Sequence, residues 1–240
     1  MTTRPAPTVV LVHGAFADAA SWFGVIDELQ RDGIAVIAPP NPLRGLASDA
    51  AYLASLASQI KGPVVLVGHS YGGALITVAG MTENVVGLVY VAAYILEEGE
   101  SLGELQDRFP ASPLGSNLRQ WTYPVDGADP AIEVTVTEEA FFSVFAADVP
   151  AAIVKILAAS QRPLAAQAFT ERASSAGWKT KPSWALVADA DQAINPEVER
   201  FGAKRAGATI VETDGVSHAV EVSRPRAVAD LICDAVRATS

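Results

Sequence analysis

The chain has 240 residues with 17 basic and 27 acidic side chains, a formal net charge of −10; half its residues are hydrophobic and 18% are charged. That composition fits one large α/β domain with room for an insertion and excludes a disordered chain. The acidic balance argues against nucleic acid or an anionic membrane as a partner, since both reward basic patches.

The N-terminal MTTRPAPT has no apolar core and predicts no signal peptide. Thr8–Val12 reads as a first strand, and His13-Gly14-Ala15-Phe16 as a turn leaving its carboxyl end. Ser21 is placed to cap a helix through Trp22, Val25, Ile26 and Leu29 that Gly33 ends, with Trp22 assigned to packing. A short strand over Ile34–Ala38 stops at Pro39, Pro40 and Pro42, and Ser48 is placed to cap the next helix, which carries Tyr52, Leu53, Leu56 and Ile60. Val64–Val67 reads as a strand buried on both faces, and Tyr71–Met81 as a helix. Val85–Val91 is a further buried strand. The longest apolar run, Val85–Leu96, is 12 residues, short of the about 18 that suggest a membrane span.

Alternation of strand and helix predicts a mostly parallel sheet with helices on both faces. It stops at Glu97 and resumes with a strand at Ser183–Val187, a helix over Pro196–Ala206, a strand over Ala208–Glu212 and a last helix over Ala219–Ala238. Residues 1–96 and 182–240 therefore form the core, and 97–181 a mainly helical cap, with helices around Glu138–Ala147 and Pro150–Ala159. In such sheets ligands bind outside the carboxyl ends of the strands, where a cap builds the pocket walls. Cys233, the sole cysteine, cannot form an internal disulfide and falls in the apolar stripe of the last helix, a small core residue. These features together lead to the expectation of a cytoplasmic protein.

The chemistry centres on Gly68-His69-Ser70-Tyr71-Gly72-Gly73. A serine on a tight strand-to-helix turn projects its hydroxyl clear of the sheet, and flanking glycines admit neighbouring chain without a Cβ clash. A serine nucleophile needs a base, and that base an orienting acid. Of the three histidines, His69 points away from the hydroxyl and is structural, while His13 shapes the turn after the first strand. His218 sits in a loop on the same rim as Ser70 and is the base. Asp189 and Asp191 both follow a strand; Asp189 suits stabilising the turn, and Asp191 is the preferred acid. The order Ser, Asp, His is that of an α/β-hydrolase elbow. The amides of Tyr71 and Ala15 are placed to hold an oxyanion.

The motifs VLVHGAF at 10–16, GHSYGG at 68–73, the Ala-Asp-Ala-Asp turn at 188–191 and the loop ending in His218 resemble an α/β-hydrolase-fold serine hydrolase across nearly the whole chain outside the insertion. The compact length and the HGAF…SW pattern through Trp22 are similar to the branch that joins plant methylesterases and hydroxynitrile lyases with small bacterial esterases. The resemblance implies Ser70 as nucleophile, His218 as base, Asp191 as acid, and Ala15 and Tyr71 as oxyanion donors. The lyases of that branch carry a lysine after the catalytic histidine and a threonine after the first-turn histidine. Here those positions are Ala219 and Gly14, which argues against cyanide chemistry. Serine at position 70 argues against the epoxide hydrolases and haloalkane dehalogenases, whose nucleophile is aspartate.

The leading expectation is hydrolysis of small, rather apolar esters through an acyl-enzyme. Competing readings keep the triad for a lyase, perhydrolase or carbon–carbon hydrolase reaction, or make the fold a small-molecule receptor. Phe16, Trp121, Tyr123, Phe141, Phe142 and Phe145 either line the pocket or form the cap's own core. Scattered histidines and the absence of HExxH, GxGxxG or a P-loop predict neither metal nor cofactor. A homodimer is compatible with the sequence, which sets no oligomeric state.

Overall fold

The computed structural model describes residues 5–240, so the first four residues of the segment read for a leader lie outside it. Six strands build the parallel sheet. They are β1 (Thr8–Val12), β2 (Val36–Ile37), β3 (Val64–His69), β4 (Val85–Val91) and, after the insertion, β8 (Ser183–Ala188), with β9 (Thr209–Thr213) closing the far edge. The order is β2-β1-β3-β4-β8-β9, with every pairing parallel. The helices are α1 (Phe23–Arg31), α2 (Leu46–Gln59), α3 (Tyr71–Ala79), α7 (Pro196–Arg205), α8 (Val220–Ser223) and α9 (Pro225–Thr239).

The period-two geometry of a strand explains the continuous apolar runs, because successive residues feed opposite faces. Val64 and Leu66 join Val10, Val12 and residues of α2 and α3 in one core, while Val65 and Val67 join Val9, Leu11 and residues of α1 and α9 in the other. Residues of the insertion pack into the first core, among them Phe141, Phe145 and Leu164. The register aligns the carboxyl ends, with Val12 opposite Gly68, His69 opposite Val91 and Val91 opposite Leu186. Loops leaving β1, β3, β8 and β9 therefore meet on one rim.

Several local expectations are corrected. Asp18, not Ser21, caps the turn before α1: its carboxylate accepts the Ala20 N–H at 2.8 Å, and Ala19–Trp22 forms a short 3-10 turn. The helix α2 begins at Leu46, ahead of Ser48, with Gly45 at its N-cap; the Asp49 carboxylate instead accepts the N–H groups of Arg44 and Gly45. The second strand is two residues, not five. The C-terminal helix is two, divided at Arg224 because Pro225 cannot continue the first.

Residues 97–181 lie between β4 and β8. They hold α4 (Leu102–Gln106), α5 (Glu138–Phe145) and α6 (Ala151–Ala159), the last two where helices were expected. They also hold a three-stranded antiparallel sheet that was not expected, β5 (Leu118–Tyr123), β6 (Ala131–Val136) and β7 (Leu164–Ala165). Among the described residues, no helix is long and apolar enough to cross a membrane.

Candidate active site

Ser70 occupies the turn between β3 and α3 at φ +54° and ψ −122°, a left-handed conformation that costs a non-glycine residue about 1–3 kcal/mol. The glycines around it permit that turn. A Cβ on Gly68 would lie 2.4 Å from the Gly72 carbonyl oxygen, and one on Gly72 would lie 2.5 Å from the Val12 carbonyl oxygen.

The structure brings Ser70, His218 and Asp191 together. His218 Nε2 lies 2.9 Å from Ser70 Oγ, and His218 Nδ1 lies 2.5 Å from Asp191 Oδ2. The other Asp191 oxygen accepts the N–H groups of Ala193 at 2.7 Å and Ile194 at 2.9 Å, so the carboxylate faces the imidazole in one fixed orientation. All three side chains are buried. Asp189, expected to stabilise its own turn, reaches across to the next loop: its carboxylate accepts the Gly215 N–H at 2.6 Å and so braces the loop that carries His218. The cap braces the same loop, with the Ala219 N–H donating to the Phe145 carbonyl at 2.9 Å and the Asp148 carboxylate accepting from the Ser217 hydroxyl and N–H.

His69 turns away from Ser70 and donates from Nε2 to the His218 carbonyl at 2.9 Å. Its ring also meets the buried Trp22 edge-on at 6.3 Å between centroids. Burial lowers its pKa, so it is neutral at working pH. Beside it lies the buried Glu221, with Oε2 3.4 Å from His69 Nε2; burial pushes that carboxyl up to about 8. Glu199, buried behind Asp191, is raised well above the ordinary carboxylate range by burial and by the Asp191 charge, while its Oε2 accepts the Ala188 N–H at 3.1 Å.

Ala15 and Tyr71, the expected oxyanion donors, both line the same cleft as Ser70 and His218. A Cβ on Gly14 would lie 2.7 Å from Ser70 Cβ, which shows how closely the first turn approaches Ser70. The sequence model of the Alpha/beta hydrolase family matches residues 9–231. The chain belongs to that family.

The hydrolase superposes on polyneuridine aldehyde esterase with a TM-score of 0.81 at 19% identity, covering 96% of this chain and 99% of that one. A pyrethroid hydrolase from Sphingobium faniae JZ-2 matches at TM-score 0.76 and 20% identity, covering 98% of each chain. A methylesterase from Arabidopsis matches at TM-score 0.79 and 18% identity, covering 96% of this chain and 99% of that one. At these identities the likeness is one of fold. No curated protein matches the chain by sequence.

Over Ser70 this hydrolase has a narrow cleft. Phe16, Leu102, Leu114, Phe145, Leu164 and Ile194 supply apolar walls. Of the polar groups there, the Tyr71 hydroxyl donates to Asp49 at 2.9 Å and the Tyr94 hydroxyl accepts from Gln106 at 2.5 Å, while Ser70 and His218 bond to each other. Of the six aromatics singled out in the sequence, Phe16 and Phe145 line the cleft. Phe141 stacks behind Phe145 with centroids 4.9 Å apart, Trp121 and Phe142 are exposed, and Tyr123 lies beneath the Arg44 guanidinium. The residues that brace the site from outside the motifs, Asn41, Asp49, Asp148, Glu199 and Glu221, carry no spacing signal in the sequence.

Proposed function

We propose that this hydrolase cleaves small, uncharged, rather apolar carboxylic esters through an acyl-enzyme at Ser70. The observation that carries the reading is the continuous set of contacts from Ser70 Oγ to His218 to Asp191 at the floor of an apolar cleft. Ser70 attacks the ester carbonyl while His218 Nε2 accepts its proton; Asp191 holds the Nδ1–H and balances the imidazolium. The Ala15 and Tyr71 amides receive the oxyanion, and the N-terminal end of α3 adds favourable dipole there. His218 then protonates the departing alcohol, and the same base activates the water that releases the acid.

The family membership and the solved relatives named as esterases support ester hydrolysis. The cleft supports the substrate class: a charged acyl group would lose its hydration there and find no ionic partner among the lining residues. The test is release of p-nitrophenol from acetate, butyrate and octanoate esters by the wild type and by Ser70→Ala. The variant should lose on the order of a thousandfold or more. Retention of turnover by the variant overturns the assignment of Ser70, and a wild type that neither hydrolyses these esters nor reacts with a fluorophosphonate overturns the enzyme reading.

A further inference from the structure

We propose that the segment running from the end of β2 into the first turn of α2 is the positioning frame of the oxyanion hole, with Asn41 and Asp49 as positioning residues that hold its two halves from one piece of chain. The inference rests on the ester-hydrolase reading above.

The two amides of the hole come from different parts of the chain. Ala15 belongs to the turn after β1, and Tyr71 begins α3. Both residues lie beyond the last paired position of their strands, although the adjacent Ser70 is still held to Val91 and Tyr94 by backbone bonds. Backbone bonds hold their neighbours Ser70 and Phe16, and side-chain contacts add two further ties that lead to the same place.

The first half is tied to Asn41. The His13 ring donates from Nδ1 to the Gly14 carbonyl at 2.8 Å, and its Nε2 accepts the Asn41 N–H at 2.9 Å. The Asn41 amide donates to the His13 carbonyl at 3.0 Å, and its oxygen accepts the Leu43 N–H at 3.3 Å. The residue thus clamps the chain on both sides of the His13 ring, just before Gly14 and Ala15. His13 and Asn41 are both buried, so no water replaces these partners. Burial lowers the His13 pKa to about 4, which keeps Nε2 free as an acceptor at neutral pH.

The second half is tied to Asp49. Its Oδ2 accepts the Tyr71 hydroxyl at 2.9 Å and also the N–H groups of Arg44 at 3.0 Å and Gly45 at 3.2 Å. Leu43 stands between the two ties in a left-handed conformation at φ +60°, and its carbonyl accepts the Ala165 N–H of β7 at 3.0 Å. The frame is therefore strained locally and held from the cap as well as from the core. Phe16, at φ +63°, is held from the cap in the same way, its N–H donating to the Arg162 carbonyl at 3.1 Å.

An oxyanion hole works by preorganisation, so a displaced donor weakens the transition state more than the bound substrate. Tyr71→Phe removes one hydroxyl and leaves the amide and the ring in place; Asn41→Ala removes the tie to the His13 carbonyl. Each variant, in the full chain, should lower kcat on p-nitrophenyl butyrate by about tenfold while KM stays within about twofold. Affinity for a trifluoromethyl ketone, whose adduct with Ser70 presents an oxyanion, should fall by the same factor as kcat. Thermal unfolding of each variant separates this from misfolding, and Tyr71→Phe carries the test if Asn41→Ala does not fold.

Where the wild type is active and both variants keep kcat, or lose only through a raised KM, the positioning role is overturned while the hydrolase reading stands. Where the wild type itself neither hydrolyses esters nor reacts with a fluorophosphonate, both fall together.

Discussion

The buried Glu221 gives the most quantitative prediction. Its carboxyl ionises near 4.5 in the unfolded chain but only at about 8 in the fold, where burial disfavours the charge. Between these values the unfolded state binds fewer protons than the folded one, so stability falls as pH rises. The contribution is intact below the unfolded value and fully lost above the folded one. Each pH unit in that window costs about 1.4 kcal/mol, and from pH 5.5 to 7.5 the loss is about 2.5 kcal/mol. For a chain of this size 1 kcal/mol moves Tm by about 2–4 °C, so the loss amounts to about 5–10 °C. Glu221→Gln has no proton to lose. Its Tm, followed by circular dichroism from pH 5 to 9, should decline less than that of the wild type by this amount, with the gap levelling above about pH 8. His13, held near 4, contributes stability that is present above 6.5 and lost as pH falls toward 4; it does so in both proteins and cancels in the comparison. Parallel Tm profiles would show that Glu221 ionises in the fold as readily as outside it, and would refute the argument.

Gly72→Ala should be among the most damaging single-methyl additions in this chain, because its Cβ would meet the Val12 carbonyl oxygen at 2.5 Å and the His13 carbonyl oxygen at 3.2 Å. Both obstacles are backbone, and a loss of about 3 kcal/mol or more is expected as a lowered urea midpoint; an unchanged midpoint would contradict the packing described. Leu114→Ala removes an apolar wall of the cleft and should raise the octanoate-to-acetate ratio of kcat/KM by about tenfold. A ratio left unchanged would place the acyl chain elsewhere.

The parts of the site that were legible in the sequence share a cause. Ser70, Asp191 and His218 each follow a strand directly or through one short loop, so reading the strands placed all three on one rim. The elbow is a local steric device, and Gly68 and Gly72 mark it without reference to the rest of the chain. The parts that were not legible depend on contacts between distant segments. Asp49 sits inside a helix whose apolar periodicity says nothing of the carboxylate at its start; its role exists only because Tyr71 arrives from another strand. Ser48, a better cap on local grounds, sits within the first turn instead, since Asp49 already satisfies the N–H groups of Arg44 and Gly45.

The antiparallel sheet of the insertion was hidden for a different reason. Leu118-Arg-Gln-Trp-Thr-Tyr123 is mostly exposed and shows no alternation of apolar and polar residues, so the period-two signal that revealed Val64–Val67 is missing. What holds β5 is its pairing with β6, six residues against six, together with the Trp121 indole N–H donating to the Thr135 hydroxyl at 2.9 Å. A sheet stabilised by pairing and cross-strand contacts leaves little trace in hydrophobic pattern. The same insertion nonetheless supplies Leu102, Leu114, Phe145 and Leu164 to the cleft and clamps the loop of His218 through Asp148. On the proposed reading, substrate choice resides in the region whose sequence is least regular, while the chemistry resides at the strand ends, where fold and motif are the same physical fact.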